Sequence, residues 1–439
     1  MEKDKTFLGT EPVGKLIVRM SLPAVVGVLA YNLYNAADTV FIAKGVGTDA
    51  AGGLAVSFPL FLFLSAVTST LGAGGASVIS RALGQKDERR AARTVGNSFA
   101  LFYAVAILVT VFGLIFLEPL LYAMGVTDTL LPYAKTYTRI ILLGAVTCTG
   151  FSNLIRAEGS SRYAMYIWVI PVSLNLVLDP ILIFGCHMGI AGAALGTVAA
   201  QCVSMGMSVY YFFLSPKRLY RVRLCDFRPD MGLLREVIGI GVPSFLQVAG
   251  YSLSILLVNQ LLGQQGSDLA ISTFGIVNKI QAFLILGITG MVQGVSPIIG
   301  YNFGAKNLAR VRETMRKSYG ILIIYGSAMC LLLLALAEPV MRIFSSDPQV
   351  IHLGGRLVKI MGLGLVCSGI QSVQAACFQA VGKKGMALFL SLCNYIVCFL
   401  PLMFLFYVCF GTDGIWYAFP ASNFLAMLIS CACMKKAFL

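Results

Sequence analysis

The sequence is short of charged side chains for its length. Asp, Glu, Lys and Arg make up 12% of the 439 residues, roughly half their share in an average soluble protein. Hydrophobic residues make up 58% of the chain, and its mean hydropathy is +0.84. Because a soluble chain needs polar residues to cover its surface, this composition excludes an array of soluble domains and predicts an integral membrane protein.

Residues that build metal centres and disulfide frameworks are few, or poorly placed for that purpose. The chain has 2 histidines, and its 12 cysteines include no Cys-x-x-Cys pair. Most of the cysteines lie inside apolar stretches, so we interpret them as small buried hydrophobic residues. We therefore expect no cofactor and no disulfide-based fold.

Twelve long apolar stretches take up most of the chain. About 20 apolar residues, each rising 1.5 Å, are enough for a helix to cross a bilayer. The alternating polarity over about ten residues that marks a membrane β-strand is not seen. We predict an all-α membrane protein with twelve transmembrane helices. The predicted spans are residues 16–43, 52–80, 94–117, 131–157, 163–185, 190–214, 235–262, 270–300, 316–337, 351–381, 386–410 and 414–434.

The basic residues are unevenly distributed between the loops. The formal net charge is +14, and most of the 33 Lys and Arg residues lie at the two termini or in every second loop. Arg156 and Arg162 are counted among these loop residues. The positive-inside rule accounts for such an excess, so we expect both termini to be cytoplasmic. The lipid bilayer is then the expected partner, and no nucleic acid is needed to explain the charge.

The chain repeats itself at about half its length. The matching pairs are Ser21–Pro23 with Gly241–Pro243, Gly84–Asp87 with Gly304–Asn307, and Pro180 with Pro401. Six spans per half is an even number, so both halves enter the membrane in the same direction. This predicts two six-helix lobes related by a parallel pseudo-twofold repeat. We place the N-terminal lobe at 1–214, a basic cytoplasmic linker at 215–235 and the C-terminal lobe at 236–439.

Two similar lobes with a seam between them favour transport by alternating access. Duplicated helix bundles also occur in channels and membrane enzymes, so the repeat alone leaves these classes open. An enzyme acting on prenyl diphosphates would need paired Asp-rich motifs at the ends of spans, and the sequence has none. We therefore expect a transporter and no enzymatic activity.

Two carboxylates lie well inside predicted spans. A charged side chain at the centre of a membrane helix costs about 2.5–3.5 kcal/mol on insertion scales, and such residues usually face the interior of the bundle. Asp38 lies in the first span and Asp179 in the fifth, with Asn175 one helical turn before Asp179. Thr197 in the sixth span adds a hydroxyl at a similar depth. These four residues suit a coupling ion, either H⁺ or Na⁺; the alternative is that the two acids only hydrogen bond between helices.

A central cavity should be lined by polar and aromatic residues of the early spans of both halves. The candidates are Tyr31, Tyr34, Gln247, Tyr251, Asn278, Lys279, Met291 and Gln293. Lys279 either extends towards the membrane surface or provides a positive charge in a water-filled cavity. The seventh span contains Gln247, Tyr251 and Asn259 but no acid, so we expect ion coupling in the N-terminal half.

Several segments resemble the multidrug and toxic compound extrusion (MATE) family of transporters. They are YNLYNAADTVFIAKGVG at 31–47, NLVLDPILIFG at 175–185, GIAGAALGT at 189–197 and GIVNKIQAFLILGITGMVQGVSPIIGYNFGAKN at 275–307. The last segment is similar to the MepA-like bacterial branch, and the resemblance covers nearly the whole chain.

The resemblance implies a V-shaped pair of lobes in a bacterial cytoplasmic (inner) membrane, acting as a monomer. It implies export of amphipathic, mostly cationic drugs and toxins, driven by H⁺ or Na⁺ entering the cell. It also places the family's N-lobe cation site on Asp38, Asn175, Asp179 and Thr197. The alternative function is a flippase for lipid-linked precursors, whose cavity should be cationic; Lys279, Arg139, Arg356 and Lys359 are the candidate cations.

Overall fold

The computed structural model describes residues 7–147, 151–216, 218–264 and 268–438. Lys3, Lys5 and Lys217, which belong to the predicted cytoplasmic segments, lie outside these ranges. Within the described residues every regular element is helical. The all-α prediction is therefore confirmed.

The N-terminal half contains nine α-helices. They are α1 (Phe7–Thr10), α2 (Val13–Gly45), α3 (Thr48–Gly84), α4 (Glu88–Ile115), α5 (Leu117–Ala123), α6 (Leu131–Leu143), α7 (Phe151–Ala157), α8 (Ser161–Pro180) and α9 (Gly189–Val209). Wider π-helical turns extend α8 over Ile181–Gly185 and α9 over Tyr210–Leu214.

The C-terminal half contains eight. They are α10 (Met231–Gln264), α11 (Asp268–Gly304), α12 (Leu308–Arg342), α13 (Pro348–Gly362), α14 (Leu365–Ala380), α15 (Lys384–Leu392), α16 (Leu400–Phe410) and α17 (Thr412–Phe438). A π-helical segment, Cys393–Phe399, joins α15 to α16 into one span.

Ten of the helical stretches among the described residues are long and apolar enough to cross a membrane. Two further spans are bent pairs, one joining α6 to Ala145–Ala157 at 49° and one joining α13 to α14 at 46°. Counting each pair as one span gives the twelve that the sequence predicts. The prediction took these two spans as continuous helices, and the structure corrects it. At Gly364, beside the second bend, an added Cβ atom would lie 2.6 Å from Asn423 Nδ2, so α17 packs too closely for any side chain there.

The pseudo-twofold relation is visible where α3 and α11 cross. A Cβ atom added to Gly84 would lie 2.0 Å from the carbonyl oxygen of Tyr301, and one added to Gly304 would lie 2.2 Å from that of Arg81. Gly304 and Tyr301 are the 220-residue repeats of Gly84 and Arg81. The two contacts are therefore equivalent under the pseudo-twofold relation. Glycine is required in both because the backbones touch.

The turns that follow these two glycines also match. Lys86 and Lys306 both have a left-handed backbone, with φ of 61° and 59°. Asp87 then caps α4 by accepting a hydrogen bond from the Arg90 amide, and Asn307 caps α12 in the same way. At this end of the molecule, which carries the basic turns, the backbones of the two lobes are therefore in direct contact. We refer to this end as the basic end.

Side chains also join the lobes near the basic end. Glu236 on α10 accepts hydrogen bonds from Arg81 on α3 at 3.0 Å and from Arg90 on α4 at 2.7 Å. Ser77 on α3 donates to the carbonyl oxygens of Gln379 and Ala380 on α14. Each bond links an N-terminal helix to a C-terminal one, so separating the lobes here would break them.

The connection between the halves is held against the N-terminal lobe. Asn97 on α4 donates to the carbonyl oxygens of Asp226 and Arg228 and accepts from the Asp230 amide at 2.8 Å. Tyr220 donates to the buried carboxylate of Glu158. Because α10 begins at Met231, the last residues of the predicted linker 215–235 are helical.

Candidate ion-coupling site and substrate cavity

Three helices of the N-terminal lobe bring the predicted ion-coupling residues together. Asp38 lies on α2, Asn175 and Asp179 lie one turn apart on α8, and Thr197 lies on α9. Asp38 is 6% exposed, Thr197 is 2% exposed, and Asn175 and Asp179 are fully buried. All four were singled out because polar residues inside apolar spans tend to face the bundle interior, and in the structure they do.

The acids and the amide make direct contact. Asn175 Nδ2 donates to Asp179 Oδ1 over 2.9 Å. The carboxyl groups of Asp38 and Asp179 lie within hydrogen-bonding reach of each other. We call these two residues the acid pair.

Three oxygen atoms of this site have no hydrogen-bond partner. They are Asp38 Oδ1, Asn175 Oδ1 and Asp179 Oδ2. A buried polar atom left unpaired costs about 1–3 kcal/mol, and more when it is charged. A proton shared between the carboxyls, or a small cation held by these oxygens, would remove much of that cost. The donor set therefore fits H⁺ and also fits Na⁺, each as transported ion.

Two tyrosines extend the site towards Thr197. Tyr34 on α2 lies 3.0 Å from the Thr197 hydroxyl, oxygen to oxygen. Tyr137 on α6 lies beside Thr197 and close to both acids. Sequence reasoning missed Tyr137. Its only signal is a polar ring inside a predicted span, a feature that Tyr133 shares.

A glycine sets the distance between α8 and α9. A Cβ atom on Gly196 would lie 2.3 Å from Asp179 Oδ1 and 3.4 Å from Asn175 Nδ2. Gly196 immediately precedes Thr197, so the same turn of α9 that supplies the hydroxyl also makes room for the acid. Any larger residue here would displace the Asp179 carboxyl.

Two cavities adjoin one another in the middle of the molecule. The first, of about 260 Å³, lies against α2, α3, α7, α8 and α9, and Asn175 and Thr197 form part of its wall. The second, of about 290 Å³, lies between α3 and α7 of one lobe and α10, α11 and α14 of the other. Asn153, Arg156, Ser69 and Gln293 line both. The acid pair itself does not line either cavity; it lies behind the wall.

The predicted cavity residues fall into two groups. Tyr31 and Tyr34 line the first cavity, Gln247 lines the second, and Gln293 lines both. Tyr31 packs edge-on against Trp168, with ring centroids 5.0 Å apart, and so gives the first cavity an aromatic wall.

The other four lie elsewhere. Tyr251 packs against Tyr395 with ring centroids 5.4 Å apart. Met291 is buried in a core cluster that joins α1 and α2 to helices of the C-terminal half. Asn278 has a buried, unpartnered Oδ1, and Lys279 is exposed on α11. None of these four lines either of the two cavities.

Arg156 requires a correction. The charge pattern placed it in a cytoplasmic loop, but it lies on α7 with 3% of its surface exposed and lines both cavities. It lies three residues before Gly159, the left-handed turn that opens α8, so in the sequence it looks like a loop residue. The helix instead continues to Ala157 and turns the guanidinium inward.

The cations considered for a flippase do not gather at the cavities. Arg139 and Lys279 are exposed, and Arg356 pairs with Asp413 at 3.0 Å. None of them, nor Lys359, lines either cavity. The cationic set on which that alternative depends is therefore not assembled there.

Comparison with known proteins identifies the family. The MatE family model matches residues 23–181 and again residues 243–405. The multidrug export protein MepA of Staphylococcus haemolyticus is 28% identical over 438 residues, covering 98% of this chain and 96% of that protein. The FAD transporter of Shewanella oneidensis is 26% identical over 436 residues, with the same coverage of both chains.

A solved structure agrees in fold along the whole chain. A multidrug-resistance MATE family transporter of the MOP superfamily, solved in an outward-facing conformation, superposes with a TM-score of 0.93 at 24% identity. The match covers 100% of this chain and 98% of that one. With two family matches about 220 residues apart and two helical lobes around a central cavity, the chain is a multi-pass membrane transporter that belongs to the MATE family of multidrug efflux proteins.

Proposed function

We propose that the chain exports amphipathic, mostly cationic drugs and toxins in exchange for H⁺ or Na⁺, by alternating access. The observation that carries this proposal is the set of three buried, unpartnered oxygens at the acid pair. Burying these oxygens unpaired and ionised costs free energy, and binding of an ion lowers that cost. We further propose that the protein works as a monomer in a bacterial cytoplasmic membrane, with both termini inside.

The wall shared by the ion site and the first cavity offers a route for coupling. Asn175 hydrogen bonds Asp179, and Thr197 hydrogen bonds Tyr34, yet both Asn175 and Thr197 also line the cavity. An ion that rearranges the acid pair must therefore change the cavity wall. When the ion leaves, the negative charge that remains behind this wall attracts an organic cation.

Alternating access requires the lobes to separate at the basic end. That contact consists of backbone atoms around Gly84 and Gly304 and of the ion pairs of Glu236. Since packed interfaces switch between discrete arrangements, we propose that the ion-bound and substrate-bound forms favour different arrangements of this contact.

The driving force is sufficient for useful export. One charge crossing ~100 mV gains ~2.3 kcal/mol, and each pH unit adds about 1.4 kcal/mol. Exchange of one proton for a drug with one net positive charge moves no net charge, so the voltage cancels and each pH unit maintains about a tenfold drug gradient. A second proton entering per drug adds both its own pH term and the electrical ~2.3 kcal/mol.

The cargo of relatives does not by itself decide the cargo of this chain. Two relatives of nearly equal similarity are named for multidrug export and for FAD transport. We propose multidrug export because the segment at 275–307 is similar to the MepA-like branch. The first cavity also offers an aromatic wall, formed by Tyr31, Tyr34 and Trp168, against which a drug can pack.

The test is dye efflux from liposomes containing the purified protein. The pH gradient and the Na⁺ gradient are imposed separately, and wild type is compared with Asp38→Asn. We expect efflux of a cationic dye to follow one of the gradients and to vanish in Asp38→Asn, which keeps the shape of the side chain but removes its charge. Glu118→Gln, which alters an exposed carboxylate paired with Lys135, should behave as wild type.

Two results would contradict this function. Gradient-driven efflux that persists at the wild-type rate in Asp38→Asn would exclude the acid pair as the coupling site. Movement of no cationic dye under either gradient, by protein whose folding is verified, would exclude cationic drug export.

A further inference from the structure

We propose that Arg156 is an anion-binding subsite in the substrate pathway, so that the preferred substrates carry a carboxylate in addition to their cationic, amphipathic body. This inference rests on the proposed export function and specifies the class of its substrate. It concerns a residue outside the ion-coupling site and at the junction of the two cavities.

Arg156 is almost completely buried and donates few hydrogen bonds. It is 3% exposed, and its Nη1 donates to Asn153 Oδ1 over 2.8 Å. Its Nε is buried and has no hydrogen-bond partner. An arginine has five N–H donors, so most of its capacity is available to a ligand.

No counter-charge is provided by the part of the chain that the structure describes. None of the ion pairs found there includes Arg156. The two cavity walls contain no Asp, Glu or Lys, so Arg156 is the one charged residue among those that line them. The acid pair lies behind Asn175 and Thr197, outside both walls.

The surroundings offer hydrogen-bond donors to an anionic group. The residues that line both cavities together with Arg156 are Ser69, Asn153 and Gln293. Ser152 and Ser204 add hydroxyls to the first cavity. Hydroxyl and amide hydrogens can each donate to an oxyanion already held by the guanidinium.

A purely structural role does not explain a buried arginine without a carboxylate. Burying a charge costs several kcal/mol unless it is paired, and a neutral residue could make the same bond to Asn153. Retaining the charge becomes useful when an oxyanion arrives, because the planar guanidinium then forms two parallel hydrogen bonds with it.

The ligand class follows from the two ends of the first cavity. Asn175 and Thr197 lie at the acid pair, and Arg156 lies where the first cavity meets the second. The aromatic residues Tyr31 and Trp168 line the wall as well. An amphipathic molecule with a positive group, an aromatic body and a carboxylate matches this wall along its length.

The test uses two dyes that differ in one group. Rhodamine 110 has a free carboxylate, and rhodamine 123 is its methyl ester, with the same cationic ring system. Their dissociation constants are measured by fluorescence with purified protein in nanodiscs of neutral lipid, for wild type, Arg156→Gln, Arg156→Lys and the control Arg162→Gln. Arg162 is exposed at the start of α8 and lines neither cavity.

Wild type and Arg162→Gln should bind rhodamine 110 about tenfold more tightly than rhodamine 123, since a hydrogen bond between charged groups is worth roughly that factor. Arg156→Gln should bind the two dyes equally, through a loss of rhodamine 110 affinity alone. Arg156→Lys should retain part of the preference because it keeps the charge without the planar fork. Without dye, Arg156→Gln should unfold at a higher temperature than wild type, because an unpaired buried charge is gone.

Adding anionic lipid to the nanodiscs distinguishes the source of the oxyanion. If the preference for rhodamine 110 survives, a substrate carboxylate occupies the subsite; if it disappears in wild type, a lipid phosphate occupies Arg156 and the proposal is wrong. Equal affinities in wild type with neutral lipid, or a lower unfolding temperature in Arg156→Gln, also overturn it. Export of rhodamine 123 by Arg162→Gln under an ion gradient tests the proposed function separately, because Arg162 lines neither cavity.

Discussion

The two lobes share a backbone plan but not a cluster of buried polar residues. The repeat places Val258 opposite Asp38, Ile396 opposite Asn175, Leu400 opposite Asp179 and Ala418 opposite Thr197, with an offset of 220 or 221 residues. All four oxygen-bearing side chains of the N-terminal lobe are thus replaced by apolar ones. Val258 and Ala418 are fully buried in a hydrophobic cluster of the C-terminal lobe.

Aromatic packing occupies the region that the ion site occupies in the other lobe. Phe399 lies against Phe419 with ring centroids 4.5 Å apart, and Phe274 lies 5.5 Å from Trp416. Dispersion and apolar burial stabilise this region without an ion. The difference teaches that one copy of a fold unit can be filled by apolar packing while the other encloses buried acids that suit an ion.

Among the substitutions considered, we expect the largest effect on ion-driven export from a change at Gly196, the glycine beside Asp179. Gly196→Ala places a methyl group 2.3 Å from Asp179 Oδ1, and overpacking of this kind costs about 1–3 kcal/mol. Because the strain falls on the ion site, we expect ion-driven export to fall roughly tenfold to a hundredfold.

Its matched control lies in the same helix. Gly206 has open space around its Cβ position, so Gly206→Ala should export normally and be stabilised by about 0.5–1 kcal/mol. Transport assays in liposomes and thermal unfolding of both variants check the pair. Equal rates for the two variants would mean that the close contact at Gly196 does not matter.

A smaller effect is expected at the tyrosine that sequence reasoning missed. Tyr137→Phe removes the hydroxyl that lies beside Thr197 and the acid pair while keeping the ring in its buried position. The loss of this polar group, worth about 0.5–1.5 kcal/mol, should lower the apparent affinity for the coupling ion severalfold. Tyr133→Phe, one turn earlier on α6, should leave it unchanged. An unaltered ion dependence in Tyr137→Phe would remove this residue from the site.

A smaller effect is expected from weakening the contact between the lobes at the basic end. Glu236→Gln weakens the bonds to Arg81 and Arg90, and each partly exposed ion pair is worth about 1 kcal/mol or less. We expect the basic end to open more often in this variant. A cysteine introduced next to Ser77 should then react about two- to fivefold faster with a water-soluble thiol reagent than it does without the Glu236→Gln change. Glu313→Gln, which breaks only the exposed pair with Lys317 within α12, serves as the control. The opposite result, slower labelling in Glu236→Gln, would mean that these bonds do not hold the end closed.

The smallest effect is expected in the C-terminal lobe. Tyr251 packs against Tyr395 and lines neither cavity. Tyr251→Phe keeps that ring contact, so transport rate and ion dependence should both stay within twofold of wild type, since a substitution away from such sites changes stability by about 0.5 kcal/mol or less. A loss of ion dependence in this variant would reveal a second coupling site and end the asymmetry between the lobes.

The grouping of Asp38, Asn175, Asp179 and Thr197 could be predicted because buried polarity is rare in a membrane chain. Asp38 and Asp179 are conspicuous inside apolar stretches, and the four-residue spacing of Asn175 and Asp179 places them on one helix face. The lobes followed from a repeat of turns and prolines that both halves retain. In both cases a local sequence pattern, either helical spacing or a repeated turn, indicates how distant parts of the chain are arranged.

The burial of Arg156 and the bends in two spans could not be predicted from the sequence in the same way. An arginine near Gly159 satisfies the positive-inside pattern whether it points to water or into a cavity, and only the path of α7 decides between them. The bend near Gly364 lies where α17 packs closely, through Asn423, 59 positions away in the chain. Cavity walls likewise depend on how helices pack, which residue type alone does not encode.

The most direct measurement is the release of ion when substrate binds. Purified protein in nanodiscs receives rhodamine 123, while an indicator dye follows released H⁺ in weak buffer and radioactive sodium follows released Na⁺. Wild type and Asp413→Asn, which alters an exposed acid of the C-terminal lobe, should release one of the two ions. Asp38→Asn and Asp179→Asn should bind the dye and release neither; continued release from these two variants would contradict a coupling site confined to the N-terminal lobe.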